Sequence, residues 1–156
     1  MSQPHGLLAD VVRFSWVDGP GNRFAVFFQG CNLDCLACHN PHTMPRSTPR
    51  AREVSVDELM DEVRPLAPFL SGVTTSGGEA TLQAAFVRAW FAALRDDPAT
   101  AALTRYVDSN GCADDAAWDD ELTALGRAGD GSIPPALLDG AVEALRRWSK
   151  VWLDRP

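Results

Sequence analysis

Residues 24 to 28 read Phe-Ala-Val-Phe-Phe, an apolar run in which neither alternate face offers a polar side chain to water. A strand of this kind must be covered on both sides, which suits the centre of a parallel sheet and argues against a half-exposed position. The segments after it supply the cover. Ser55 opens a helix, with Glu58 completing a capping box and Val56, Leu59, Met60 and Val63 along one face; Pro65 ends it. A short strand is expected over Gly72 to Thr75, closing at Ser76-Gly77-Gly78. Leu82, Phe86, Ala89, Trp90, Ala93 and Leu94 mark a second amphipathic helix, stopped near Asp97-Pro98. Arg105 to Asp108 is a third strand, ending at Ser109-Asn110-Gly111. Trp118, Leu122 and Leu125 share one further helical face, with Gly126 as its stop.

The order is β-α-β-α-β-α, which predicts an α/β fold: a parallel sheet joined by right-handed crossovers, with helices outside. In such sheets the loops after the strands' C-terminal ends build the site. Those loops are Gly30 to Asn40, Ser76 to Ala80 and Ser109 to Gly111. Upstream, Leu8 to Trp16 reads as an additional edge strand and Asp18-Gly19-Pro20-Gly21 as a turn, while residues 41 to 52 form a Pro-rich basic loop. Near the end, Pro134-Pro135 starts a last amphipathic helix with Leu138, Val142, Leu145 and Trp148 as its stripe.

Charge and hydropathy exclude some functions. The 156 residues carry a net charge of −7, so no basic stripe exists to replace phosphate counterions, and nucleic acid is not an expected partner. No apolar run approaches the roughly 18 residues of a membrane span. Met1 to Asp10 has no basic segment followed by a long apolar core, so a cytoplasmic location is expected.

Cys31-Asn32-Leu33-Asp34-Cys35-Leu36-Ala37-Cys38 spaces three cysteines as C-x3-C-x2-C, and Cys112 stands apart. In a reducing compartment this reads better as a metal site than as two disulfides. Structural zinc takes four ligands, usually in paired C-x2-C units. A cubane [4Fe–4S] cluster normally takes four thiolates, and three leave one iron open to a chelating small molecule. The alternatives are zinc with His39 or His42 as fourth ligand, a disulfide with a spare thiol, and Cys112 as a fourth cluster ligand.

Phe27-Phe28-Gln29-Gly30-Cys31 before these cysteines, Cys38-His39-Asn40-Pro41 after them, and Val73-Thr74-Thr75-Ser76-Gly77-Gly78-Glu79-Ala80 downstream resemble the radical S-adenosylmethionine (SAM) superfamily. Val17-Asp18-Gly19-Pro20-Gly21-Asn22-Arg23 and Val107-Asp108-Ser109-Asn110-Gly111 look like the activating enzymes of glycyl-radical enzymes within it. The motifs agree in order over residues 8 to 120.

The resemblance implies a partial (β/α)6 barrel, of which this chain holds the N-terminal half. It implies an oxidoreductase of anaerobic metabolism that reductively cleaves SAM to a 5′-deoxyadenosyl radical. That radical takes a hydrogen atom from a glycine of a partner glycyl-radical enzyme. Cys31, Cys35 and Cys38 would hold a [4Fe–4S] cluster whose open iron binds the methionine end of SAM. Ala37, Cys38 and His39 would lie near the adenine, and Gly77, Gly78 and Glu79 would meet the methionine amino group. Asp108 would lie near the methionine carboxylate, through a bound monovalent cation. Flavodoxin or ferredoxin would supply the electron. No side chain is required as acid or base, so no catalytic residue is expected beyond these contacts. Other readings are a different radical SAM activity, such as activation of anaerobic ribonucleotide reductase or peptide modification, and a zinc-stabilised interaction module.

The sequence departs from the family pattern in three ways. Residues 42 to 54 contain no cysteine, so a second cluster is not expected, and Ala37 replaces a larger residue common in relatives. The family likeness fades after Leu125, which divides the chain into a radical SAM core over 1–125 and a divergent helical tail over 126–156. A truncated or frameshifted product, with half of its ligand cavity and an unpaired strand edge, is the expectation that follows.

Overall fold

The computed structural model describes residues 4–112. The chain divides into two compact units, residues 1–109 and 110–156, and of the second only Asn110, Gly111 and Cys112 are described. The helices expected around Trp118–Leu125 and Leu138–Trp148, and the division at residue 125, lie outside the described residues.

The described residues of unit one hold five strands: β1 (His5–Ser15), β2 (Arg23–Phe28), β3 (Arg52–Ser55), β4 (Gly72–Gly77) and β5 (Thr104–Val107). Helix α1 (Val56–Val63) follows β3, and α2 (Ala84–Asp96) lies between β4 and β5. The sheet order is β3-β1-β2-β4-β5. The apolar run sits at its centre, and β2, β4 and β5 are parallel as the alternation predicts.

Two features differ from expectation. Strand β1 pairs antiparallel with β2, but it is not the edge, because β3 pairs along its first residues, His5 to Leu8. The sequence hides β3 because it has four residues, of which only Val54 is buried, and it is held by backbone pairing that leaves no side-chain period. Leu82, expected on the second helix, lies instead in a 3-10 turn, Ala80–Gln83, and is half exposed. The Glu79 carboxylate, accepting the Thr81 N–H, caps that tight turn before α2 begins.

Local chemistry explains the helices. Ser55 Oγ accepts the Glu58 N–H at 3.2 Å, while the Glu58 carboxylate accepts the Ser55 N–H at 2.7 Å, the expected capping box. The Ser55 N–H and the Ser55 hydroxyl, both donating to the Glu58 carboxylate, hold that carboxyl below its ordinary pKa. Val56, Leu59, Met60 and Val63 are buried on one face of α1. On α2 the buried face is Phe86, Val87, Trp90, Phe91 and Leu94. It packs on the sheet through Phe86, whose ring meets Phe28 edge-on with centroids 5.9 Å apart. Each such wholly buried side chain contributes about 1.5–3 kcal/mol. A side chain at Gly6 would strike the Phe86 ring at 2.6 Å, so β1 must be bare where α2 crosses it.

The sheet is pinned at the N-terminal end of its parallel strands by a charge. Arg23 is wholly buried, and its guanidinium donates to Thr74 Oγ1 at 2.6 Å, Val73 O at 2.6 Å, Thr104 Oγ1 at 3.0 Å, and Pro20 O and Thr104 O at 3.1 Å. It stacks on Tyr106 at 4.1 Å from the ring centroid. Burial pulls its pKa below the usual arginine value, with Tyr106 and Asp108 opposing, and arginine remains charged in proteins. One side chain thus ties the turn before β2 to β4 and β5. Arg23→Met keeps the length and removes every donor, leaving buried carbonyls unpaired at about 1–3 kcal/mol each. The expected loss is about 3 kcal/mol in chemical denaturation, or roughly 10 °C in Tm; a loss under about 1 kcal/mol would show that the network is dispensable.

Candidate functional site

Three loops leave the C-terminal ends of the parallel strands: Gln29 to Ala51 after β2, Gly78 to Gln83 after β4, and Asp108-Ser109 after β5. They hold the site residues expected from the sequence except Gly77, which is the last residue of β4. The Val17–Arg23 motif lies at the other end of β2, roughly 17 Å away at strand rise.

The cysteine loop is pinned where it leaves and rejoins the sheet. The Gly30 N–H donates to Thr43 O at 2.8 Å, and the Cys31 N–H to Met44 O at 3.0 Å. Between these points the loop bulges outward. Cys31 and Cys38 are half-buried, and Cys35, Ala37 and His39 are exposed. The Cys38 N–H donates to Cys35 O at 3.2 Å, and Cys31 Sγ accepts the Leu33 N–H at 3.4 Å. Leu36 at the apex is fully exposed, an apolar side chain presented at the same edge as the thiols. Among the described residues, no disulfide joins the cysteines. Among the described residues no three His, Cys, Asp or Glu side chains stand close enough together to hold a metal ion as they are placed. The thiols share one short exposed loop rather than one point.

Gly77-Gly78 is more than a turn. The Gly78 N–H donates to Phe28 O at 3.0 Å, and the Glu79 N–H to Gly30 O at 2.8 Å, which stitches the end of β4 to the start of the cysteine loop. A Cβ at Gly78 would overlap the Gly30 carbonyl oxygen and stand 2.9 Å from Thr43 O. Gly77 holds φ at +110°, a left-handed conformation in which glycine is favoured.

Glu79 is completely buried, not a solvated surface carboxylate. Its Oε1 accepts the Thr81 N–H at 3.0 Å, the Thr81 hydroxyl, and the Ser109 hydroxyl at 2.9 Å. The last of these joins the loops after β4 and β5. Asp108 directly follows β5, its N–H donating to Thr75 O at 2.8 Å while its side chain is exposed.

Two side chains without an assigned role in the sequence reading hold this edge together. Gln29 is buried and its carboxamide reaches the returning loop at residues 42 to 48. Gln83 pairs with both backbone groups of Leu7, accepting its N–H at 2.7 Å and donating to its carbonyl at 2.9 Å, and also donates to Gln29 O at 3.0 Å. The available signal was a glutamine closing an otherwise apolar strand.

The donor set suits an iron–sulfur cluster. Three thiols within eight residues, with Asp34 the single carboxylate among them, favour a soft, thiolate-bound centre over magnesium or calcium.

The sequence model of the radical SAM superfamily matches residues 25–150, on both sides of residue 125. The chain is 46% identical over 101 residues to a Haemophilus influenzae protein described as a glycyl-radical enzyme activating enzyme, covering 65% of this chain and 37% of that one. It is 45% identical over 114 residues to a pyruvate formate-lyase-activating enzyme of Staphylococcus aureus, covering 70% of this chain and 44% of that one. The chain therefore spans less than half the length of these curated relatives. Radical SAM proteins work in general with a [4Fe–4S] cluster and SAM. Among the described residues no helix is long and apolar enough to cross a membrane. With a match running through most of its length and its thiols and glycines gathered at one sheet edge, this chain belongs to the radical SAM superfamily.

Proposed function

We propose that this chain carries the cluster- and SAM-binding part of an enzyme that activates a glycyl-radical enzyme. The observation that carries the reading is the meeting, at one end of the parallel strands, of a three-thiol loop with Gly77-Gly78-Glu79. The names of its relatives supply the substrate class. When bound, a [4Fe–4S] cluster would supply the electron for reductive cleavage of SAM, the chemistry by which a hydrogen atom would be removed from the partner's glycine.

The chain's own residues bind and orient. Cys31, Cys35 and Cys38 hold the iron, with Ala37 and His39 beside the adenine. Gly77 and Gly78 let backbone close on the methionine end, because no side chain intervenes. Glu79 provides negative charge for the amino group from a carboxylate already oriented by Thr81 and Ser109. Asp108 faces the carboxylate end through a monovalent cation. Flavodoxin or ferredoxin reduces the site, in the cytoplasm. The core is assigned to residues 1–125, with 126–156 as a helical tail.

The test is anaerobic reconstitution with iron and sulfide, followed by SAM and dithionite. Formation of 5′-deoxyadenosine supports the reading. A soluble, iron-loaded sample that makes none shows that this chain does not cleave SAM by itself, and colourless protein retaining zinc supports the interaction module instead.

A further inference from the structure

We propose that Gln29 is a positioning residue that closes the neck of the cysteine loop, so that Cys31, Cys35 and Cys38 are presented as one ligand set; this rests on the cluster reading above. Gln29 is 4% exposed and is the last residue before the loop's Gly30-Cys31 start. Its Nε2 faces three carbonyl oxygens of the returning strand of the loop, at 3.3 Å from His42, at 3.2 Å from Thr43, and in a short contact with Pro45. Its Oε1 accepts the Thr48 hydroxyl at 3.4 Å. Both faces of the carboxamide are therefore spent across the neck.

The backbone of Gln29 is fixed as firmly. Its N–H donates to Leu7 O at 2.9 Å, and its carbonyl accepts Gln83 Nε2 at 3.0 Å. The clasp is thus anchored to β1 directly and to the start of α2 through Gln83, elements that bear no cysteine. Two backbone bonds also cross the neck, Gly30 to Thr43 and Cys31 to Met44. Closing a loop of this length costs chain entropy that two bonds barely offset. No other uncharged side chain of this length offers two donors and an acceptor; glutamate would set a carboxylate against three carbonyl oxygens.

The test compares wild-type chain with Gln29→Met, which keeps the volume and removes the polar groups, and with Thr48→Val, which removes the acceptor-side bond alone. Hydrogen exchange on the iron-free protein reads the neck directly, at the Gly30 and Cys31 amides. In Gln29→Met these are expected to exchange at least about tenfold faster while β4 amides are unchanged. Thr48→Val gives a smaller acceleration at the same two amides. After anaerobic reconstitution, Gln29→Met is expected to hold less than about half the wild-type iron, with weaker sulfur-to-iron charge-transfer absorbance. Equal acceleration across β4, or unchanged exchange at Gly30 and Cys31 in both variants, overturns the proposal, as does full iron loading of Gln29→Met. If the wild-type chain takes up no iron, the cluster reading fails, and the exchange comparison still decides whether Gln29 closes the loop.

Discussion

Cys31→Ala, Cys35→Ala and Cys38→Ala are each expected to lower bound iron by more than about tenfold after anaerobic reconstitution, since a cluster held by three thiolates loses its footing when one is removed. Cys112→Ala is expected to keep its iron. The contrast matters more than any single value. None of the three loop cysteines is buried in the core, and Cys35 is exposed, so the iron-free variants should unfold within about 0.5 kcal/mol of wild type. Iron analysis and chemical denaturation on the same samples separate loss of a ligand from loss of the fold. Full iron retention in any one loop variant, or its loss in Cys112→Ala, would require a different ligand set.

Gly78→Ala is expected to destabilise the chain by about 3 kcal/mol, the upper range for overpacking a rigid site. The added methyl would overlap the Gly30 carbonyl oxygen and stand 2.6 Å from the carbon that bears it. These are backbone atoms, so no rotamer change relieves the contact. Nor is Gly30 free to retreat, since its N–H is bonded to Thr43 O and its carbonyl accepts the Glu79 N–H. The remaining route is separation of the β4 loop from the cysteine loop. The variant should therefore also lose protection at the Glu79 amide in hydrogen exchange. A cost below about 1 kcal/mol would mean that the two loops part easily.

The parallel centre of the fold was legible because its signals are intrinsic to each segment. Phe24 to Phe28 has no polar face, Ser55 and Glu58 bracket a helix start, and Phe86, Trp90 and Leu94 repeat at helical spacing. Strand β3 was not legible, since Arg52–Ser55 acquires its structure from β1 rather than from its own side chains. The site divides the same way. Cysteines and glycines announce themselves by type and spacing. The clasp of Gln29 does not, because its acceptors are carbonyl oxygens 13 to 16 residues away, and carbonyl oxygens have no sequence identity. Arg23 was visible as part of a motif, while its work of joining three strands needed the register of β2, β4 and β5.

Strand β2 carries its anchoring cation at one end and its thiol loop at the other. Tolerance to change should therefore split along its axis. A library randomised over residues 18–22 would sort by the yield of folded chain, one over residues 32–34 by metal retention, and the ranking from either would not forecast the other. For anyone adapting this scaffold, the two ends are independent design variables.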